Sequence, residues 1–165
     1  MEASLSMIQT LIQENNLLDL PVIIIQLEEP IDENLTGLIA NKIMSNYMQP
    51  VLILNHHIET NEETGEIITD KWMGSGRNAT YSSLENFRDF IEKSNVVEFA
   101  QGHAGAFGVS ILNKNIDLLK QYIKKELKDF NFTNSYRVDF IWNACEIDKY
   151  QDDIIKIGEL SDIWG

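Results

Sequence analysis

Hydrophobic and polar positions along this chain follow two distinct periods. Leu5, Ile8, Leu11 and Ile12 recur at helical spacing within residues 3–16, and Leu35, Leu38, Ile39, Ile43 and Tyr47 form a second stripe of that kind. Between the stripes, Pro21 opens PVIIIQL, a β-branched run that predicts a strand covered on both faces. Pro50 opens a second strand, PVLIL, and an acidic turn at 61–66 pivoting on Gly65 leads into a third, IITDKWM. A helix is expected through Leu84, Phe87, Phe90 and Ile91, capped by Ser82 or Ser83. Short strands are expected at VVEFA (96–100) and VSIL (109–112), and a helix from Asn115 to Leu127. A strand at YRVDFIW (136–142) and a helix from about Asp148 complete the pattern. Strands interleaved with helices predict an α/β fold, and the adjacent strand runs require some antiparallel pairing. The expected architecture is a mixed β-sheet flanked by helices.

Length and composition narrow the class. With 165 residues, 44% of them hydrophobic, the chain can bury one core of ordinary size. No apolar run approaches the ~18–20 residues of a membrane span, so no membrane partner is expected. The start, MEASLSMIQ, lacks the basic and apolar regions of a secretory signal. The single Cys145 forms no internal disulfide, which suits a reducing, cytoplasmic setting. The net charge of −13 argues, as an average, against a protein that coats nucleic acid. The distribution says something narrower. Residues 1–70 carry −11, residues 71–137 carry +3 and residues 138–165 carry −5, so a mildly basic middle lies inside an acidic frame.

Two glycine-bearing segments fall in that basic middle, and both are expected to be loops. Gly74-Ser75-Gly76-Arg77-Asn78 is too rich in glycine to predict regular structure. Its arginine carries the forked donor set that matches a phosphate, and amides at the next helix N-terminus would add anion affinity. The second segment, Gln101 to Gly108, surrounds His103 with Gly102, Ala104, Gly105 and Ala106. These small neighbours let the imidazole lie close to the backbone and still meet a ligand. Together the segments point to a phosphate site shared by Arg77 and His103, although each alone is compatible with a plain turn.

GSGRN followed by QGHAGAFG resembles the paired GSGRS-like and GGHxxAAG motifs of DHHA1 domains, the C-terminal domains of the DHH phosphoesterase superfamily. NLTGLIANKIMSNYMQPV at 34–51, YRVDFIWNACEID at 136–148 and LSDIWG at 160–165 extend the resemblance to RecJ-like single-strand-specific exonucleases. The resemblance covers the chain from about residue 20. Asn78, Gln101 and Phe107 depart from the motifs, in place of serine, glycine and alanine. It implies a linking helix at 1–19, a substrate-binding DHHA1 domain at 20–135 and a RecJ-like extension at 136–165 that stops early. Gly74, Ser75, Gly76, Arg77, Asn78, Gly102, His103 and Ala104 would hold substrate phosphate. The partners implied are a single-stranded nucleic acid and a DHH catalytic domain, in the same or a companion chain, that carries Mn²⁺ or Mg²⁺. On this reading the chain binds a strand for a 5′→3′ exonuclease and hydrolyses nothing by itself. Two alternatives share the motifs: an oligonucleotide or cyclic-dinucleotide phosphodiesterase, and a non-catalytic RNA-binding module as in alanyl-tRNA synthetase.

Other features have plainer readings. His56-His57 predicts a polar end after a strand and not a metal site, because two-metal hydrolysis needs several convergent carboxylates and imidazoles. Lys114, Lys120, Lys124, Lys125 and Lys128 lie on or near one helix, as a nucleic-acid stripe or a solvated face. Of Trp72, Tyr81 and Phe107, at least two are expected in the core and not stacked on bases.

Overall fold

The β-branched run after Pro21 forms β1 (Ile23–Leu27), and its residues are buried on both faces except Gln26. The computed structural model describes residues 2–79, 84–130, 141 and 143–159. Two compact units make up the chain, Met1–Ser135 and Tyr136–Gly165. In the first, α1 (Glu2–Glu14) precedes β1, and α2 (Glu33–Tyr47) connects β1 to β2 (Val51–Thr60). Asp32 caps α2 by accepting the Asn34 N–H at 2.9 Å, and Met48 ends it in the left-handed conformation. β2 turns back into β3 (Ile67–Arg77) through Asn61–Glu66, where Gly65 supplies a φ of 72°. Then follow α3 (Phe87–Glu92), β4 (Phe99–His103), β5 (Ala106–Leu112) and α4 (Ile116–Glu126).

The five strands stand in the order β1-β2-β3-β5-β4. β1 and β2 are parallel, and every other pair is antiparallel, which makes the sheet mixed. Each face has its own core. On one face, Ile23, Ile25, Val51 and Ile53 pack against Ile8 and Ile12 of α1 and Ile39 and Ile43 of α2. On the other, Leu52, Leu54, Trp72, Phe107, Val109 and Ile111 pack against Phe87 and Ile91 of α3 and Leu119 and Ile123 of α4. No helix among the described residues is long and apolar enough to cross a membrane. The second unit has a 3-10 stretch at Ala144–Tyr150 followed by α5 (Gln151–Glu159). The strand expected at 136–142 lies outside the described residues, apart from Ile141, which is not in a strand.

Several expectations need correction. The GSGR segment is not a loop, because β3 runs through it to Arg77 in register with both β2 and β5. Its glycines are there for space. A Cβ at Gly76 would lie 2.5 Å from the Phe107 ring, and one at Gly74 would collide with the Ile53 carbonyl oxygen. Likewise the Gln101–Gly108 segment is mostly strand, with only Ala104-Gly105 turning β4 into β5. β2 continues past Leu54 to Thr60, so His56 and His57 are strand residues and not the end of one. The cap of α3 is Asn86, whose side chain accepts the Asp89 N–H at 2.9 Å. The lysine-bearing α4 packs on the face opposite Arg77 and His103, so its lysines do not continue their face. Trp72 and Phe107 are both core residues, 2% and 3% exposed, as expected for at least two of the three aromatics; Tyr81 lies outside the described residues.

Candidate nucleic-acid interface

Strand pairing brings the two segments together. Arg77 pairs with Ala106, and Ala106 pairs with His103, so the three form one row across β3, β5 and β4. Directly opposed residues of antiparallel strands point to the same face, which places both side chains on one side. Two strand spacings of ~4.8 Å separate their backbones, about 10 Å, a gap that two side chains can close around one phosphate. Ala106 between them carries only a methyl group. The next row on that face is Ser75, Gly108 and Gln101, and the one after it is Met73, Ser110 and Phe99. α1 and α2 cover this face over β1 and β2. Over β4 it is open, since Phe99, Gln101 and His103 are all exposed.

Arg77 is half-buried at the border between the covered and open parts. Its Nη1 donates to the Gly76 carbonyl at 2.8 Å, and among the described residues no carboxylate pairs with it. Burial lowers the affinity of its guanidinium for the proton, yet an arginine stays charged. A desolvated cation without a counter-ion favours any anion that reaches it. Space for this side chain comes from α2, where a Cβ at Gly37 would lie 2.5 Å from Arg77 Nη2. Beside it, Ser75 Oγ and Thr36 Oγ1 share a hydrogen bond of 2.9 Å. Thr36 Oγ1 already donates to the Glu33 carbonyl, so Ser75 is the donor in that pair.

The remaining motif residues shape the turn that carries His103. Gly102 has a φ of 134°, and a Cβ there would lie 2.8 Å from the Ala106 carbonyl oxygen, so only glycine fits. The Asn78 N–H donates to Gly105 O at 2.8 Å, which ties the end of β3 to the β4–β5 turn. Asn78 Nδ2 donates to Leu84 O at 2.5 Å, and its Oδ1 is buried without a hydrogen-bond partner among the described residues. The Arg88 N–H donates to Ala104 O at 3.1 Å, and Arg88 Nη1 to Gly102 O at 2.9 Å. The helix N-terminus expected to bind an anion thus has its Arg88 and Asp89 amides engaged, the second by Asn86. Gly74 and Gly76 lie on rows that face the opposite core, and they reach the site only through the backbone they shape.

Sequence reasoning missed Gly37, Thr36 and Arg88. Gly37 had a readable signal, a glycine inside a helical stripe where one weakens the helix. Thr36 and Arg88 had none, because their roles depend on which backbone lies across from them.

His56 belongs to a separate cluster. Its Nδ1 meets Glu28 Oε2 at 2.6 Å, its Nε2 meets Asp70 Oδ1 at 2.8 Å, and its ring stacks on Trp72 with centroids 4.2 Å apart. Burial opposes its charged form, but the hydrogen bonds to Asp70 and Glu28 outweigh it and raise the pKa. The same bond, with that from Asn113, lowers the pKa of Asp70. The two carboxylates sit on opposite nitrogens of one ring and do not converge on a point. Among the described residues, no group of three or more His, Cys, Asp or Glu is placed to hold a metal ion.

Fold and site together define an α/β domain whose half-open sheet face carries, in row with a histidine, an arginine without a carboxylate partner among the described residues. No family model matches the chain. It is 28% identical over 159 residues to YorK of Bacillus subtilis (strain 168), named as an SPbeta prophage-derived single-strand DNA-specific exonuclease, covering 96% of this chain and 26% of that one. The YorK protein of Bacillus phage SPbeta matches to the same extent. Among solved structures, RecJ from Thermus thermophilus in complex with Mg²⁺ matches 91% of this chain and 23% of its own, at 13% identity and a TM-score of 0.54. The Mn²⁺ complex matches with a TM-score of 0.53 at 12% identity, over 93% and 22% of the two chains. The chain is thus similar in sequence to one part of YorK and similar in fold to one part of RecJ, and it spans about a quarter of the length of these relatives. The described residues do not fit the metal ions of those RecJ complexes.

Proposed function

We propose that this chain is the single-strand-binding, DHHA1-type part of a RecJ-like exonuclease. Arg77 and His103 grip a backbone phosphate, and Ser75, Asn78, Gly102 and Ala104 shape the floor and turn beneath it. Hydrolysis belongs to a metal-bearing DHH domain outside these residues. The observation that carries the reading is the Arg77–Ala106–His103 row, which sets an arginine and a histidine on the same side of a sheet that is open over β4. The net charge of −13 works against any broad electrostatic adhesion, so binding depends on this local pair and is weak.

Fluorescence anisotropy with a 5′-labelled single strand, repeated across salt concentrations, tests this. Affinity falls as salt rises, with a log–log slope of about −0.7 per phosphate neutralised. Arg77→Ala weakens binding and makes that slope shallower by about 0.7. His103→Ala acts on the same phosphate, so the double variant is little worse than Arg77→Ala alone. Unchanged binding in both single variants would sink the phosphate site. Tighter binding of tRNA than of single-stranded DNA, lost on the same substitutions, would instead favour the RNA-binding reading.

A further inference from the structure

Next to the phosphate row the open face hollows into a cavity of about 220 Å³. Its floor is the backbone of β3 and β5 at Gly74 and Gly108, and its sides are Met73, Phe99, Thr36 and Glu33. The volume falls below the ~300–1,000 Å³ of drug-sized sites and suits one planar ring system. Gly108 occupies the row between Arg77 and Met73 and leaves the floor flat. Phe99 stands on the edge strand at the rim, 36% exposed, as an aromatic side chain available to a second ring.

Charge decides what kind of group enters. The phosphate row carries the Arg77 guanidinium, whereas the far end of the cavity is bordered by Glu33, whose side chain is 75% exposed. A phosphate is attracted to the first and repelled by the second. A neutral ring with N–H groups on its edge is compatible with both, since a carboxylate only accepts hydrogen bonds. The two ends are ~13 Å apart along the strands, four residues at ~3.3 Å each. One nucleotide laid along β3, phosphate first, would therefore place its base over Gly108.

The geometry points to a nucleobase subsite in this cavity, in which the base of the nucleotide held by Arg77 lies on Gly108 against Phe99 with its polar edge towards Glu33. The inference rests on the proposed phosphate grip. It adds that the domain reads a base as well as the backbone. Stacking tolerates every base, so the subsite favours a base over none and not one base over another.

The test compares an ordinary 5′-phosphorylated single strand with one whose terminal nucleotide is abasic, both titrated against the 165-residue chain. The ordinary strand should bind about tenfold more tightly, within the range of one base–aromatic stack. Gly108→Val should fill the floor. A Cβ there meets only Gly74 O at 3.8 Å and Gln101 O at 3.9 Å, so the sheet accommodates it. In that variant the ordinary strand should fall to the affinity of the abasic one, and the abasic strand should bind as before. Phe99→Ala, at an exposed rim position, should give the same pattern if Gly108→Val does not fold. Equal affinity of the two strands for the unmodified chain overturns the base subsite. So does an equal loss for both strands in the variants. The phosphate grip is judged separately by the Arg77→Ala salt slope, so the base subsite can fail while the grip stands.

Discussion

Replacing Gly37 with alanine should move stability and binding in opposite directions. Gly37 lies in the interior of α2, where alanine is favoured over glycine by about 0.8–1.0 kcal/mol. The added methyl has one close neighbour that matters, Arg77 Nη2, at 2.5 Å, with Arg77 Cζ at 3.4 Å and Ser75 Oγ at 3.7 Å. Ordinary contact between such atoms is ~3.5–4.0 Å, so the guanidinium has to retreat by about 1 Å. It can do so cheaply, because it is the far end of a flexible side chain with one hydrogen bond, to Gly76 O. The helix gain is therefore largely kept, and urea unfolding followed by circular dichroism should show a higher midpoint. The guanidinium, however, is no longer where the proposed phosphate grip needs it. A hydrogen bond to a charged group contributes about 1.5–3 kcal/mol, and partial misplacement should remove about 1 kcal/mol, or about fivefold in affinity. In an Arg77→Ala background the same substitution should leave affinity unchanged, since the displaced group is gone. Refutation would take either of two results: Gly37→Ala weakening binding equally with and without Arg77, or Gly37→Ala destabilising the fold.

Other perturbations probe the frame around the site. Gly76→Ala forces a methyl to within 2.5–2.8 Å of the Phe107 ring, which is itself held edge-on against Phe87 at 5.2 Å, so a loss of about 1–3 kcal/mol is expected in urea titration. Phe107→Ala should abolish that added loss, and strict additivity of the two substitutions would contradict the packing account. Gly102→Ala strains a residue at φ 134° and should destabilise by about 1–3 kcal/mol while weakening strand binding through displacement of His103; a neutral effect on both would show that the turn tolerates a side chain. The His56 cluster should make stability depend on pH. Because the folded pKa of His56 is raised, its contribution is complete below the ordinary 6.5 and is lost as pH rises through the raised value. The lowered pKa of Asp70 gives a contribution present above its ordinary 3.8 and lost as pH falls through the lowered value. The unfolding midpoint of the native chain should thus decline from pH 6 to 8 relative to His56→Gln, and parallel curves would refute this.

The periodic signals were enough for the layers. Helical stripes and β-branched runs placed α1, α2 and α4 and the starts of β1 and β2, because each of these elements buries a face whose spacing is written locally. Charge segregation and the two motif segments likewise pointed to Arg77 and His103. What local pattern could not show was that GSGR is strand. Glycine disfavours strands by itself, and only the Phe107 ring and the Ile53 carbonyl, brought up by β5 and β2, explain why nothing larger fits. The same limit hid the cap of α3 and the far side on which the α4 lysines lie. His56 read as a polar end because the carboxylates that hold it, Glu28 and Asp70, are 28 and 14 residues away.

By itself, then, the sequence determined the class of fold and the residue types that can hold an anion, since amphipathic period and side-chain chemistry are properties of a stretch of chain. Only the tertiary structure decided that Arg77 and His103 share a row, that the face above them is open, and that Arg77 has no carboxylate partner among the described residues. Those are matters of register and of coverage. A shift of one residue in the pairing of β5 with β3 would leave Arg77 and His103 on opposite faces, and no local signal separates the two arrangements.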